Sequence, residues 1–175
     1  MHNSLIKYRW ELSVACIRSG IILCPATTLL TDKDIEFRCQ VSKATAIVGD
    51  ENFMHKISKV QQNCPELKHL IYVSASAGAE SFPSPIIDFN KRLQQIPEAS
   101  TFQTIDSSRT DPALIYFTSG TSGPPKMVQH NSVSYPLAHT LTGKHWLKLR
   151  PGQLYWNLSE QGIFAMNQTQ TRNSC

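Results

Sequence analysis

Nine consecutive residues, Thr118-Ser119-Gly120-Thr121-Ser122-Gly123-Pro124-Pro125-Lys126, hold four hydroxyls, two glycines, two prolines and a lysine. Those residue types suit the holding of phosphate. Glycines let backbone N–H groups come close to an anion, and hydroxyls add donors. A lysine supplies a flexible positive charge. Composition alone also admits a plain Ser/Gly/Pro surface loop with a chance lysine. Two phosphate-binding patterns are excluded by spacing. A P-loop needs Gly, four residues, then Gly-Lys-Ser/Thr, whereas two prolines separate Gly123 from Lys126 and Met127 follows. No Gly-x-Gly-x-x-Gly is present for a dinucleotide. The spacing thus argues against a P-loop kinase or phosphatase.

Ala113-Leu114-Ile115-Tyr116-Phe117 runs directly into the loop and reads as a buried strand. Tyr116 to Lys126 resembles the phosphate loop of the adenylate-forming superfamily, which includes acyl-CoA synthetases, luciferases and peptide-synthetase adenylation domains. Lys126-Met127 is similar to the medium-chain acyl-CoA synthetase branch, where most of the superfamily has Gly after the lysine. Further segments resemble the same branch: Ala15-Cys16-Ile17-Arg18-Ser19-Gly20-Ile21, Cys24-Pro25-Ala26-Thr27, Asp34 to Arg38, Ser42 to Val48, and Trp156-Asn157-Leu158-Ser159-Glu160-Gln161-Gly162. The likeness runs from Trp10 to Gly162.

The resemblance implies a two-step reaction. A fatty carboxylate attacks the α-phosphate of ATP and releases pyrophosphate; the thiol of coenzyme A then displaces AMP. It implies ATP, Mg2+ and coenzyme A as cofactors and a fatty acid as substrate. Thr118, Ser119, Gly120, Thr121, Ser122, Gly123 and Lys126 would touch phosphate, and Pro124 and Pro125 would stiffen the turn. Other motifs of the family do not occur: Tyr-Gly-x-Thr-Glu for adenine and Mg2+, Thr-Gly-Asp for ribose, and a C-terminal domain with a catalytic lysine. The one Thr-Gly, Thr142-Gly143, is followed by Lys144. The expectation is a ligase-family chain, inactive as these residues stand, that binds ATP weakly. The alternative is a non-catalytic module that binds nucleotide or a homologue through an exposed sheet edge. Acyl-chain preference is not readable, and Trp156 is expected in the core.

The elements that position the loop alternate strand and helix. Glu11 to Ser19 reads as a helix stopped by Gly20, and Ile21 to Cys24 as a short strand ended by Pro25. Thr31 can cap a helix over Asp32 to Lys43. Thr45 to Val48 and Leu70 to Val73 read as strands. Between them Glu51 to Asn63 reads as a helix with Phe53, Ile57, Val60 and Cys64 on one face. Ser74 to Pro85 reads as a loop, and Ile86 to Ile96 as a helix with Phe89, Leu93 and Ile96 inward. Pro97 to Pro112 reads as a surface loop. Met127-Val128 continues as strand, and Ser132 to His145 reads as a helix that tolerates Pro136 only near its first turn. Arg150 to Gln153 is a turn before a strand from Leu154 to Ser159. The pattern predicts an α/β fold: part of the N-terminal parallel-sheet, helix-covered subdomain of an adenylate-forming enzyme, with strands buried on both faces. The loop is then expected at a strand's carboxyl end.

The chain of 175 residues, 41% hydrophobic and 17% charged, suits a globular domain. Its net charge of +4 comes without a run of like charges, so nucleic acid is not an expected partner. Cys16, Cys24, Cys39, Cys64 and Cys175 have no Cys-x-x-Cys spacing, which disfavours disulfides and zinc and suits a reducing compartment. The histidines show no metal-ligand pairing; His130, just after the strand-like Met127-Val128, reads either as a neighbour of a nucleotide or as a polar residue at a strand-to-helix junction. No apolar run is long enough for a transmembrane helix. The resemblance implies the mitochondrial matrix; with no transit peptide visible, the cytoplasm is the other expectation. Three regions are expected: Met1 to Arg9 outside the family likeness, a partial AMP-binding domain over 10–162, and a polar, disordered tail over 163–175. Such ends suggest an alternative transcript or partial gene, with weak folding from open sheet edges.

Overall fold

The computed structural model describes residues 3–74, 82, 84–97, 102–118 and 123–155, with side chains from residue 8 onward. Trp156 to Gly162 and the 163–175 tail lie outside the described residues, as does most of the Ser74 to Pro85 loop. The chain divides into two units, Met1–Ala15 with Thr28–Thr104 and Cys16–Thr27 with Ile105–Cys175.

The first unit holds most of helix α1 (Asn3–Ser19), then α2 (Asp32–Ser42), β1 (Ala46–Gly49), α3 (Glu51–Val60), β2 (His69–Tyr72), β3 (Ile87–Asp88) and α4 (Phe89–Gln94). Local chemistry explains most of these bounds. Thr31 and Asp34 form a capping box at the start of α2: Asp34 N–H donates to Thr31 Oγ1 at 3.3 Å, and Thr31 N–H donates to Asp34 Oδ2 at 3.0 Å. The hydrogen bonds from Thr31 hold the Asp34 carboxyl below its ordinary pKa. Lys43 ends the helix in the left-handed region, at φ 52°, and its N–H donates to the Cys39 carbonyl. Asp50 caps α3 by accepting from Phe53 N–H at 2.9 Å.

β1, β2 and β3 form a parallel sheet in that order, with Ala46 opposite His69 and Ile71 opposite Ile87. The connection through α3 is what a parallel β1–β2 pair requires. Phe53, Ile57, Val60 and Cys64 are all buried, as the helical spacing predicts. They join Ile35 and Cys39 of α2 and Leu70 and Tyr72 of β2 in one core.

Three expectations change here. Ile86 to Ile96 is not one helix: Ile87–Asp88 pairs with β2, and the Asp88 carboxylate then accepts from Lys91 N–H at 3.0 Å, so α4 begins at Phe89. Phe89 packs edge-on against Tyr8, but Leu93 and Ile96 are 53% and 54% exposed. A helix this short cannot bury residues on several turns, and Ile96 lies past its end. The strands are also not buried on both faces. Leu70 and Tyr72 are buried while Ile71 between them is half-buried, so β2 alternates.

The second unit contains β4 (Pro112–Thr118), β5 (Lys126–Asn131) and α5 (Ser134–Leu141), followed by a π-helical turn over Thr142–Trp146. Here the Ile21 to Cys24 strand shrinks to a single parallel bridge, Leu23 with Leu114. Leu23 N–H donates to the Ala113 carbonyl at 3.0 Å and its carbonyl accepts from Ile115 N–H at 2.9 Å. The third change is that β4 and β5 run antiparallel. Only residues 119–125 join them, and a parallel return needs a crossover of a dozen or more residues. Pro136 falls in the first turn of α5, where its missing N–H costs nothing, and Gly143 lies inside the π-turn. Gly152, at φ 85°, sits in the expected Arg150–Gln153 turn. Leu154 and Tyr155 form no strand.

At Gly49 the backbone is closely approached by a side chain of the core. A Cβ there would lie 2.4 Å from Phe53 Cδ1 and 3.0 Å from its Cβ and Cγ. Phe53 is held by the core and by the Asp50 cap, so it has little room to yield. Gly49→Ala should lower unfolding stability by about 1–3 kcal/mol, the usual cost of overpacking. A urea midpoint equal to that of the unsubstituted chain would refute the tight fit.

Candidate functional site

The site is the turn of the β4–β5 hairpin. The register places Thr118 opposite Lys126, Phe117 opposite Met127 and Tyr116 opposite Val128. Thr118 Oγ1 also donates to the Lys126 carbonyl at 3.4 Å. The first and last members of the expected phosphate loop therefore face each other across the ladder. Ile115 and Phe117 are buried at 8% and 2%, which anchors β4 as it enters the turn. Side chains of directly opposed residues share a face, so Thr118 and Lys126 lie on the same side as Tyr116 and Val128.

Ser119, Gly120, Thr121 and Ser122 lie outside the described residues. Of the others, Gly123, Pro124 and Lys126 are exposed, while Thr118 and Pro125 are half-buried. A Cβ built on Gly123 would meet nothing within 4 Å, and its φ is not left-handed. Neither packing nor turn geometry requires glycine there. Open space beside an exposed lysine is what the approach of a polyphosphate needs. Among the described residues no three His, Cys, Asp or Glu side chains cluster as metal ligands.

His130 does not reach the loop. It pairs near Leu114, four residues along β5 from Lys126, or about 13 Å at strand rise. Instead it joins a cluster that sequence reasoning missed. Tyr116 and Tyr135 share a hydrogen bond between their hydroxyls at 3.0 Å and stack with centroids 5.7 Å apart. His130 packs edge-on against both rings, and His139 lies 4.2 Å from Tyr135, centroid to centroid. The available signal was the Tyr135/His139 spacing of four on a helix. The cluster fastens α5 to the strand pair that carries the loop.

Comparison with known proteins identifies the relatives. The family model for AMP-binding enzymes matches residues 10–162. The chain belongs to the AMP-binding enzyme family. It is 35% identical over 171 residues to the mitochondrial acyl-coenzyme A synthetase ACSM4 of Mus musculus, covering 95% of this chain and 28% of that protein. It is 36% identical over 154 residues to the mitochondrial acyl-coenzyme A synthetase ACSM5 of Homo sapiens, covering 87% and 25%. The chain thus spans about a quarter of the length of these relatives. Among solved structures, the Brucella canis acyl-CoA synthetase superposes with a TM-score of 0.74 at 26% identity, over 87% of this chain and 27% of that one. The anthranilate CoA ligase AuaEII, solved with anthranoyl-AMP, gives 0.66 at 25% identity, over 76% and 24%. These matches bear out the α/β fold and the acyl-CoA ligase likeness.

The cluster carries a pH dependence. Burial, and then the charge of His130, pushes the His139 pKa below the ordinary 6.5. Its buried Nδ1 has no hydrogen-bond partner among the described residues. The unfolded chain therefore takes up this proton at higher pH than the folded one. The contribution to stability is full above the unfolded pKa and is lost as pH falls through the folded pKa. Thermal midpoints taken from about pH 7.5 to about pH 5.5 should fall more steeply for the unsubstituted chain than for His139→Gln. Parallel slopes would remove His139 from this account.

Proposed function

We propose that residues 10–162 form part of the AMP-binding domain of a medium-chain fatty acid–CoA ligase, and that residues 118–126 hold the β- and γ-phosphates of ATP. The reading rests on one observation above the others. A Ser/Thr/Gly segment ending in an exposed lysine is closed at its base by the Thr118–Lys126 pair, in a chain whose relatives are acyl-CoA synthetases over the same residues. In this reading Met1 to Arg9 and residues 163–175 flank the domain without contributing to the site.

The loop's part in the chemistry is electrostatic. As the fatty carboxylate forms its bond to the α-phosphate and the bond to the bridging oxygen breaks, negative charge moves onto pyrophosphate. Fixed N–H donors, the hydroxyls of Thr118, Ser119, Thr121 and Ser122, and the Lys126 ammonium stabilise that charge. Gly120 and Gly123 admit the phosphates, and Pro124 and Pro125 aim the lysine. Mg2+ shares the load, and coenzyme A takes the acyl group in the second step. The adenine, ribose and catalytic-lysine motifs of the family are absent from these 175 residues. This chain alone therefore binds polyphosphate weakly and does not complete adenylation. The relatives' names support a mitochondrial matrix location.

Three outcomes test this. Equilibrium dialysis should show ATP and inorganic tripolyphosphate binding with similar affinity, because the adenosine moiety has no partner here. Lys126→Ala should weaken both by tenfold or more, at about 1.5–3 kcal/mol for a charge-assisted contact. Gly123→Ala should leave stability within about 0.5 kcal/mol, as at other open surface sites. A strong preference for ATP, or pyrophosphate exchange with a medium-chain acid, would contradict the proposal.

A further inference from the structure

Two thiols that the sequence keeps apart meet in the core of the first unit. Cys39 and Cys64 stand twenty-five positions apart, 64 less 39, and share no motif spacing. Cys39 lies in the last turn of α2, and Cys64 directly follows the 3-10 turn Gln61–Asn63 at the end of α3. Both belong to the same buried cluster, at 6% and 4% exposed. The Cys64 thiol donates to the Glu36 carbonyl at 3.9 Å, about one helical turn before Cys39. The Cys39 thiol hydrogen-bonds to the Cys64 sulfur.

The two backbones are held in place. Ala44 N–H donates to the Cys39 carbonyl at 3.1 Å, and Cys64 N–H donates to the Gln61 carbonyl at 3.0 Å. A polar bridge ties the two segments: Gln40 Nε2 donates to the Asn63 carbonyl at 2.9 Å, and Asn63 Nδ2 donates to Glu36 Oε2 at 3.1 Å. Gln40 and Asn63 are exposed, so each buried thiol is one residue from the surface along the chain. Burial first, and then the charge of Glu36, raises the Cys64 pKa above its ordinary value, against the opposing contact from Cys39. The resting thiol is therefore protonated and slow to react.

We infer that Cys39 and Cys64 are a latent disulfide pair, a redox-responsive staple between α2 and the end of α3 whose oxidant is a hydroperoxide. Hydrogen peroxide is small enough to enter on a local opening of the exposed bridge. One thiol loses its proton to water, and its thiolate attacks a peroxide oxygen. The O–O bond breaks, hydroxide leaves and is neutralised by that proton, and the sulfur becomes a sulfenic acid. The second thiol then loses its proton and attacks the sulfenic sulfur; the S–S bond forms, the S–O bond breaks and water leaves. Two thiols are oxidised, one peroxide is reduced and two waters are released. A pair already in contact closes with little rearrangement, whereas a disulfide forced on distant residues distorts the fold. The inference rests on no reading of residues 118–126, and nucleotide plays no part in its test.

The test is peptide mapping of the full 175-residue chain by mass spectrometry, after treatment with hydrogen peroxide and alkylation of the remaining thiols. The expected product carries a Cys39–Cys64 disulfide within the monomer, and dithiothreitol returns both thiols. The oxidised chain should melt about 10 °C higher, the usual order for closing a loop of this length. Cys64→Ala should lose that rise. Mapping of the unsubstituted chain decides the matter even where that variant is unstable. Peroxide that leaves both residues as thiols, or carries either to sulfinic acid without the disulfide, overturns the inference. So does a Cys39–Cys64 disulfide that lowers the melting midpoint, or one that forms only in urea, because the native contact would then not be set for closure.

Discussion

Thr118 and Lys126 face each other across an antiparallel pair, and what the intervening segment can do depends on that closure. An unsupported Ser/Gly/Pro segment would lose considerable conformational freedom on gripping an anion. Here the ladder holds both ends, Thr118 and Lys126, at strand spacing before any ligand arrives. The ladder is itself secured from below. Ile115 and Phe117 are buried, and Ile115 N–H is satisfied by Leu23 on the opposite edge of β4. The lysine is thereby delivered by a strand rather than by a free loop. Its reach is flexible, but its root is fixed.

The same closure explains the greatest departure from the sequence reading. Alternating strand and helix led to a parallel sheet, and β1, β2 and β3 do form one. Past the loop a different constraint applies. The interval from Thr118 to Lys126 is too short for a crossover, so β5 had to return beside β4. The elements that were legible share a local cause. Thr31 and Asp34 announce a helix start by their spacing, and Phe53, Ile57 and Val60 announce a buried face by theirs. The two-residue strand Ile87–Asp88 has no period to read, because it exists only through its pairing with Ile71 and Tyr72.

The site was legible in its residue types and only partly in its geometry. Sequence placed a lysine at the end of a hydroxyl-rich segment, and the register shows Lys126 already inside β5 rather than in a loop. Tyr116 shows why apolar runs mislead. Read among Ala, Leu, Ile and Phe it looks like one more core residue, yet its hydroxyl needs a polar partner when half-buried. That partner is Tyr135, nineteen positions away, and only the fold of α5 back over the hairpin brings it near. The hydrogen bond converts an apolar strand face into a specific attachment for α5.

That attachment in turn decides which way α5 faces. With Tyr135 and His139 committed to the hairpin, Leu137 and Leu141 have no choice but to look outward. The outward face is therefore a consequence of building the hairpin's support from two aromatic residues four apart. Charge follows the same division. Twelve of the thirteen acidic residues precede Pro112, so the sequence of the hairpin, α5 and the π-turn carries only basic formal charge. Basic charge attracts anions without choosing among them. Selection must come from shape. Open space at Gly123 beside the exposed Lys126 leaves room for a small, multiply charged group.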